Sequence, residues 1–279
     1  MTTKLHVRDW ASIACGAVNE DLFGAAGDWA WMIDGATGLG GPALTPGASD
    51  AAWLAGELDA AAARARDLPP ARWLTAIEEA LDEAFAPFRS GEPAGFPAAA
   101  LAAVRLESGR LVALNIGDCA LWVRPPGGRA RRIGRSRVDR FDRKVEAILE
   151  RALAAGRVRE SVEPEMREQI ARNRTRANTR FGYWVVRPGS PWSRRVRRRG
   201  ATVPDGAQLV LATDGFYRLV DVYRRYDDEA FMDACLDGLA PLMEELRAIE
   251  AKDRGCRRHP RIKPSDDATA MVLEVCDAR

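Results

Sequence analysis

The sequence predicts an α+β fold built in layers, with mostly antiparallel sheets. Apolar residues alternate between strand-like runs of period two and helical stretches spaced by three and four, and the strands come in groups rather than one per helix. No Gly-x-Gly-x-x-Gly follows the first strand and no Gly-x-x-x-x-Gly-Lys-Ser/Thr occurs anywhere, which argues against a doubly wound nucleotide-binding sheet. No internal repeat of about 20–50 residues is visible. With 279 residues, 47% of them apolar and 29% charged, the chain can bury a large core, and one domain spanning 1–279 is expected.

The run Asp28 to Ile33 alternates and ends in Asp34-Gly35, a strand entering a tight turn. Ser49 or Asp50 caps a helix to about Asp67, with Trp53, Leu54, Leu58, Ala61 and Ala62 on one face, and Pro69-Pro70 stops it. A second helix runs from about Ala71 to Phe88 through Leu74, Ile77, Leu81 and Phe85. Ala99 to Leu106, a turn at Ser108-Gly109, Arg110 to Ile116, Gly117-Asp118 and Cys119 to Val123 read as three consecutive antiparallel strands. Pro125 to Gly128 closes that meander. Charged helices are expected near Asp139–Ala155 and Glu163–Ala177, and strands at Gly182–Val186 and Gln208–Thr213. A long helix over Asp228–Ala251, kinked at Pro241, and a final strand over Ala268–Val275 complete the series.

Five cysteines without a Cys-x-x-Cys pair argue against a disulfide framework or thiolate zinc site. Two histidines, His6 and His259, leave little room for His-rich metal sites or a histidine-based triad, so carboxylates are the main reactive inventory. Neither a membrane span nor a secretory signal is visible, and a soluble cytoplasmic protein is expected. Net charge is +2, but residues 124–199 carry 23 basic and 8 acidic side chains, leaving 19 basic and 32 acidic elsewhere. An anionic partner at the basic segment is one reading; Arg-rich solvated helix faces are the other. Without interleaved aromatics, nucleic acid is not the expected partner.

Acidic residues recur at strand ends. Asp34 follows Trp-Met-Ile, Asp118 follows Leu-Asn-Ile-Gly, Asp214 follows Leu-Val-Leu-Ala-Thr, and Asp266 precedes Ala-Thr-Ala-Met-Val-Leu, with Asn19-Glu20-Asp21 ahead of the first strong strand. A carboxylate there is held by the core yet points to a rim, where rigid ligands can assemble. Six or more convergent carboxylates cannot all stay ionised without cations among them, and oxygen-only ligation favours Mg²⁺ or Mn²⁺ over zinc. The glycines Gly35, Gly38, Gly40 and Gly41 do not make a phosphate loop, since they follow an aspartate and lack the lysine.

The ordered series Val18-Asn-Glu-Asp21, Asp34-Gly35, Gly117-Asp118, Leu209-Val-Leu-Ala-Thr-Asp-Gly215 and Ser265-Asp-Asp-Ala-Thr269 resembles the protein phosphatase 2C family of metal-dependent Ser/Thr phosphatases, in its bacterial form, from about Asn19 to Val275. The resemblance implies a four-layer α-β-β-α sandwich with a two-metal centre at one end. It implies that Asp34 bridges two ions, with Asp214 and Asp266 completing one site. Glu20 and the Gly35 carbonyl would serve the other, with Asp21 acting through water. Asp118, with Asp214, would contact a third, weaker ion. It further implies that Asp34 and Asp214 act catalytically through a metal-bridging water that attacks phosphorus in line on phosphoserine or phosphothreonine of a phosphoprotein substrate.

The sequence departs from that pattern at substrate-handling positions. Gly16 stands where an arginine often holds phosphate, Asp34-Gly-Ala-Thr-Gly38 lacks the histidine of many eukaryotic members, and Ala98-Ala-Ala100 replaces a small polar pair. A basic helical insertion over about 130–182 is expected to form a flap, and its Arg174, Arg176 and Arg180 are candidates for the missing phosphate anchor. A small-molecule phosphoesterase with the same centre and a non-catalytic binding module are the alternatives.

Overall fold

The structure is a computed structural model, and it describes residues 3–36, 42–107, 109–134 and 136–277. Two five-stranded sheets, antiparallel at every pairing, lie face to face. One joins β1 (Thr3–Ile13), β10 (Ala268–Asp277), β9 (Gln208–Ala212), β6 (Ala120–Arg124) and β7 (Arg131–Ile133) in that order. The other joins β2 (Asp21–Ala26), β3 (Trp29–Ala36), β4 (Ala98–Glu107), β5 (Arg110–Ile116) and β8 (Arg197–Thr202).

Period-two burial explains the layers, because successive side chains of a strand face opposite sides of its sheet. On β3, Trp29, Trp31 and Ile33 face outward and pack with Leu54, Leu58, Trp73 and Ile77 of α1 (Asp50–Arg64) and α2 (Pro70–Phe85). Ala30 and Met32 face inward, meeting Leu209, Leu211, Met271 and Leu273 of the other sheet. The outer face of β9 and β10, with Val210, Ala212, Ala270 and Val272, is covered by α5 (Asp214–Asp221), α6 (Asp228–Asp237) and α7 (Leu239–Lys252). The result is the four-layer α-β-β-α sandwich. No helix among the described residues is long and apolar enough to cross a membrane.

The basic segment forms α3 (Val138–Ala154) and α4 (Glu163–Arg174), which bury Val145, Leu149 and Met166 against Cys256 and Ile262 of the loop between α7 and β10. Part of its charge is a solvated face, as in the Arg167–Glu163 pair at 2.8 Å and the Arg157–Glu165 pair at 2.8 Å.

Several local expectations are corrected. The third strand of the expected meander leaves its neighbours: β6 lies in the other sheet, and Gly117-Asp118 is a crossover, not a hairpin turn. Residues 182–186 make only isolated bridges, Tyr183 with Ala177 and Val186 with Ala99. The long C-terminal helix is two helices, broken at Gly238, whose φ of +141° a residue with a side chain rarely adopts. Pro241 instead sits in the first turn of α7, where its missing N–H costs nothing. Strands β1, β2, β7 and β8 and helix α5 had no expected counterpart. The glycines Gly38, Gly40 and Gly41 and the turn residue Ser108 lie outside the described residues.

Candidate metal centre

The inter-sheet core ends in a polar layer. The inward phase of β3 continues from Ala30 and Met32 to Asp34, and that of β2 places Asp21 directly opposite Asp34 in the register. From the other sheet, the phase of Leu209 and Leu211 continues to Thr213, and that of Met271 and Leu273 runs back to Thr269. The Thr213 hydroxyl donates to Asp21 Oδ2 at 2.9 Å and accepts the Thr269 N–H at 3.0 Å, joining the sheets at this layer. Asp21 is almost fully buried, whereas Asp34, Asp118, Asp214 and Asp266 are half-buried and open to the rim.

Chain segments around the layer are held by backbone contacts. The Gly35 N–H donates to the Glu20 carbonyl at 3.1 Å, and the Ser49 hydroxyl donates to Glu20 Oε1 at 2.6 Å while capping α1 through the Ala52 N–H. Asp267 accepts the N–H groups of Cys15 and Glu20, each at 2.7 Å. Gly215 opens α5 so close to β10 that a Cβ there would lie 1.9 Å from the Asp267 carbonyl oxygen, so only glycine brings Asp214 to this position. The Tyr217 hydroxyl donates to the Asp118 carbonyl at 2.7 Å and fixes the crossover.

The electrostatics divide the carboxylates. Burial, then Asp21, Asp214, Asp118 and Asp266, push the Asp34 carboxyl well above its usual range. Burial also raises Asp21, with Asp266 and Asp267 adding to it, and burial with Asp214 raises Asp118. Asp142 of α3 joins this field, raised by burial and by Asp118 and Asp214. Asp266 moves the other way: burial opposes it, but Arg218 and Lys263 hold its carboxyl below the usual range. Arg218 Nη2 lies 2.7 Å from Asp266 Oδ2, and Lys263 Nζ lies 2.7 Å from Oδ1. Burial would lower the Lys263 ammonium, yet Asp266, with Asp34 and Asp214, holds it well above its ordinary value.

The two flanks of the layer differ in their charge balance. Around Asp34, Asp21 and the Gly35–Glu20 contact, acidic oxygens crowd without a cationic side chain on Asp34 among the described contacts, and a divalent ion would relieve their repulsion. At Asp266, both oxygens already hold cations of the chain itself. Among the described residues, no three His, Cys, Asp or Glu side chains are grouped as they would be around an ion.

The structure separates the three candidate arginines. Burial lowers the Arg174 pKa, against the longer-range pull of Tyr183 and Glu20. Arg176 lines a cavity of about 480 Å³ between α3 and α4 with Arg137, Arg140, Lys144 and Arg172. Arg180 lines a second cavity of about 380 Å³ that touches Gly117, with Arg137, Arg195 and Arg197. Among the described residues, neither cavity has a carboxylate in its lining.

Sequence reasoning missed Thr213, Thr269, Asp267, Arg218 and Lys263. Arg218 stands one helical turn after Asp214, a spacing that would have placed it beside that residue. Lys263 has no such signal, since only the loop geometry brings it back onto Asp266.

A model of the protein phosphatase 2C family matches residues 11–253. No curated protein matches the chain. Among solved structures, the serine/threonine phosphatase PstP/Ppp of Mycobacterium tuberculosis is 16% identical, covering 99% of this chain and 100% of that one at a TM-score of 0.56. The S. agalactiae serine/threonine phosphatase is 12% identical over 98% and 99% of the two chains, also at 0.56. The catalytic domain of PstP in complex with two manganese ions is 16% identical over 99% and 100%, at 0.55. At these identities the likeness speaks for the fold, and it agrees with the sandwich built above. The family match covers most of the chain, and the chain therefore belongs to the protein phosphatase 2C family of metal-dependent serine/threonine phosphatases.

Proposed function

We propose that this chain hydrolyses phosphoserine and phosphothreonine on proteins with a divalent ion, Mg²⁺ or Mn²⁺, held around Asp34. The observation that carries the reading is the crowding of Asp21, Asp34, Asp118 and Asp214 into one field at the end of the inter-sheet core. Glu20, Asp21, Asp34 and the Gly35 carbonyl would hold the ion on the β2–β3 side, with Asp118 and Asp214 facing them. Such an ion supplies Lewis acidity, which acidifies a water for attack on phosphorus and offsets charge developing on the phosphoryl oxygens.

The chain's own groups do the rest. Thr213 orients Asp21, and Asp267 pins the backbone that presents Glu20. Arg174, which feels the charge of Glu20, would take the phosphoryl group in the role that Gly16 leaves open. The cation-lined cavities, one between α3 and α4 and one beside Gly117 at the end of β5, suit an anionic stretch of a phosphoprotein, with the 130–182 segment acting as the flap. All five cysteines are free thiols, in keeping with a reducing, cytoplasmic setting.

The test is hydrolysis of p-nitrophenyl phosphate with Mn²⁺, with Mg²⁺ and with chelator, for the wild type, Asp34→Ala and Asp214→Ala. Metal-dependent turnover lost in both variants is the expected result; turnover that survives chelation overturns the reading. Phosphopeptides are then expected to exceed nucleotides and sugar phosphates in kcat/KM. The reverse order would make the chain a small-molecule phosphoesterase. A folded protein that binds Mn²⁺ without turnover would be a binding module.

A further inference from the structure

Lys263 stands in a loop built to deliver it. Two residues before it, Arg261 is 1% exposed, and its guanidinium donates to the Asp253 carboxylate at 2.8 Å and to the carbonyls of Asp253, His259 and Pro264 at 2.8–3.0 Å. Ile262 packs on the core between α3 and α4, and Arg159 donates to its carbonyl. The lysine is thus bracketed on both sides, and its ammonium meets Asp266 Oδ1 at 2.7 Å.

The second oxygen of Asp266 is equally committed. Arg218, buried on α5, reaches it at 2.7 Å and lies 3.5 Å from Glu250, which Arg247 holds at 2.5 Å. Arg247 also donates to the Asp266 carbonyl at 2.8 Å. A divalent ion that sought Asp266 would have to displace an ammonium whose attraction extends to Asp34 and Asp214 as well. It would also place two cationic groups and a doubly charged ion around one carboxylate, an arrangement like-charge repulsion disfavours.

We propose that the Lys263 ammonium is a resident cation of the acidic site, occupying Asp266 in place of a divalent ion, so that the native chain binds its ions on the Asp34 side and Asp266 is not a metal ligand. This rests on the reading that the Asp34 side takes a divalent ion. The geometry divides the neutralisation of one acidic cluster between exchangeable ions and a fixed side chain, and removing the side chain should open one more ion site.

The experiment is Mn²⁺ binding by isothermal titration calorimetry, checked by electron paramagnetic resonance of free Mn²⁺, on wild type, Lys263→Met, Lys263→Arg and Asp266→Asn, each verified as folded by circular dichroism. Lys263→Met is expected to bind one more Mn²⁺ per chain than wild type, and Lys263→Arg the wild-type number. Asp266→Asn is expected to keep the wild-type number and, within about threefold, its affinity; should this variant not fold, the two lysine variants decide. Equal stoichiometry and affinity in wild type and Lys263→Met, or loss of an ion in Asp266→Asn, overturns the proposal and leaves the Asp34 reading standing. No Mn²⁺ bound by wild type or any variant overturns the Asp34 reading, and this proposal with it.

Discussion

Asp34 and Asp266 belong to one acidic cluster and lie on opposite sides of its charge balance. Asp34 ends a core strand, is pushed up by burial and by four other carboxylates, and has no cation of the chain on it among the described contacts. Asp266 begins the approach to β10, is held down by Arg218 and Lys263, and has both oxygens engaged. The difference teaches that the family's acidic motif does not by itself state how many ions a member takes. What the neighbouring loops contribute decides which carboxylates remain available.

Replacing each aspartate by its amide tests the contrast most directly. Asp34→Asn should lower kcat/KM for p-nitrophenyl phosphate by about a thousandfold or more, since an ion site there supplies several kcal/mol to the transition state. The same change should raise the melting temperature of the metal-free protein, by about 1 kcal/mol of stability, because it removes a repelled charge. A metal-free Asp34→Asn protein less stable than wild type would break the comparison on its first side.

The loop that carries Lys263 depends on the Arg261–Asp253 pair, so Arg261→Ala should cost about 3 kcal/mol, read as a fall in Tm of roughly 6–12 °C. Burial opposes the Asp253 carboxylate, but the Arg258 N–H, the Arg261 guanidinium and the His259 and Arg257 N–H groups hold its pKa below the usual value. Its contribution is therefore present above its unfolded pKa of about 3.9 and is lost as pH falls through the folded value. The Tm gap between wild type and Arg261→Ala should hold steady between pH 5 and pH 7 on a scale of about one unit, and close below about pH 4. A gap independent of pH down to acid unfolding would show that the carboxylate is not what Arg261 serves.

Asp266→Asn should shift the stability of the metal-free protein by less than Arg261→Ala does, and with the opposite sign to Asp34→Asn. It leaves buried Arg218 and half-exposed Lys263 without their shared carboxylate, at a cost of about 2 kcal/mol. Differential scanning calorimetry of the two metal-free amide variants side by side would sharpen the comparison, and shifts of the same sign would break it.

The parts legible in the sequence were those with a strong local period or a compact motif. The helix over 50–64 announced itself through Ser49 and a Leu54–Leu58–Ala61–Ala62 face, β3 and β9 through apolar runs ending in acids, β10 through an apolar run that an acid precedes, and β4 through its apolar run alone. Strand β8, Arg197–Thr202, is exposed along its whole length and arginine-rich, so no apolar pattern marks it, and it forms only by pairing with β5. The step of β6 into the other sheet is a tertiary choice that Gly117-Asp118 permits but does not encode. At the site, the carboxylates were readable because strand ends project them. Their partners were not, because Thr213 and Thr269 look like ordinary strand residues. Lys263, one of four lysines in the chain, meets Asp266 only after the loop has folded back.

The polar layer formed by Asp21, Asp34, Thr213 and Thr269 seals the end of the hydrophobic interior, and amides there should exchange with solvent deuterium only when the whole sandwich opens. The strap from Asp253 to Asp267 lies outside the strands, so its amides should exchange through local opening. The acidic oxygens are then permanent fixtures of the folded state, while the lysine that faces them is replaceable within it. Ion capacity in this molecule can therefore evolve by edits to one short strap, without touching the residues that define the fold.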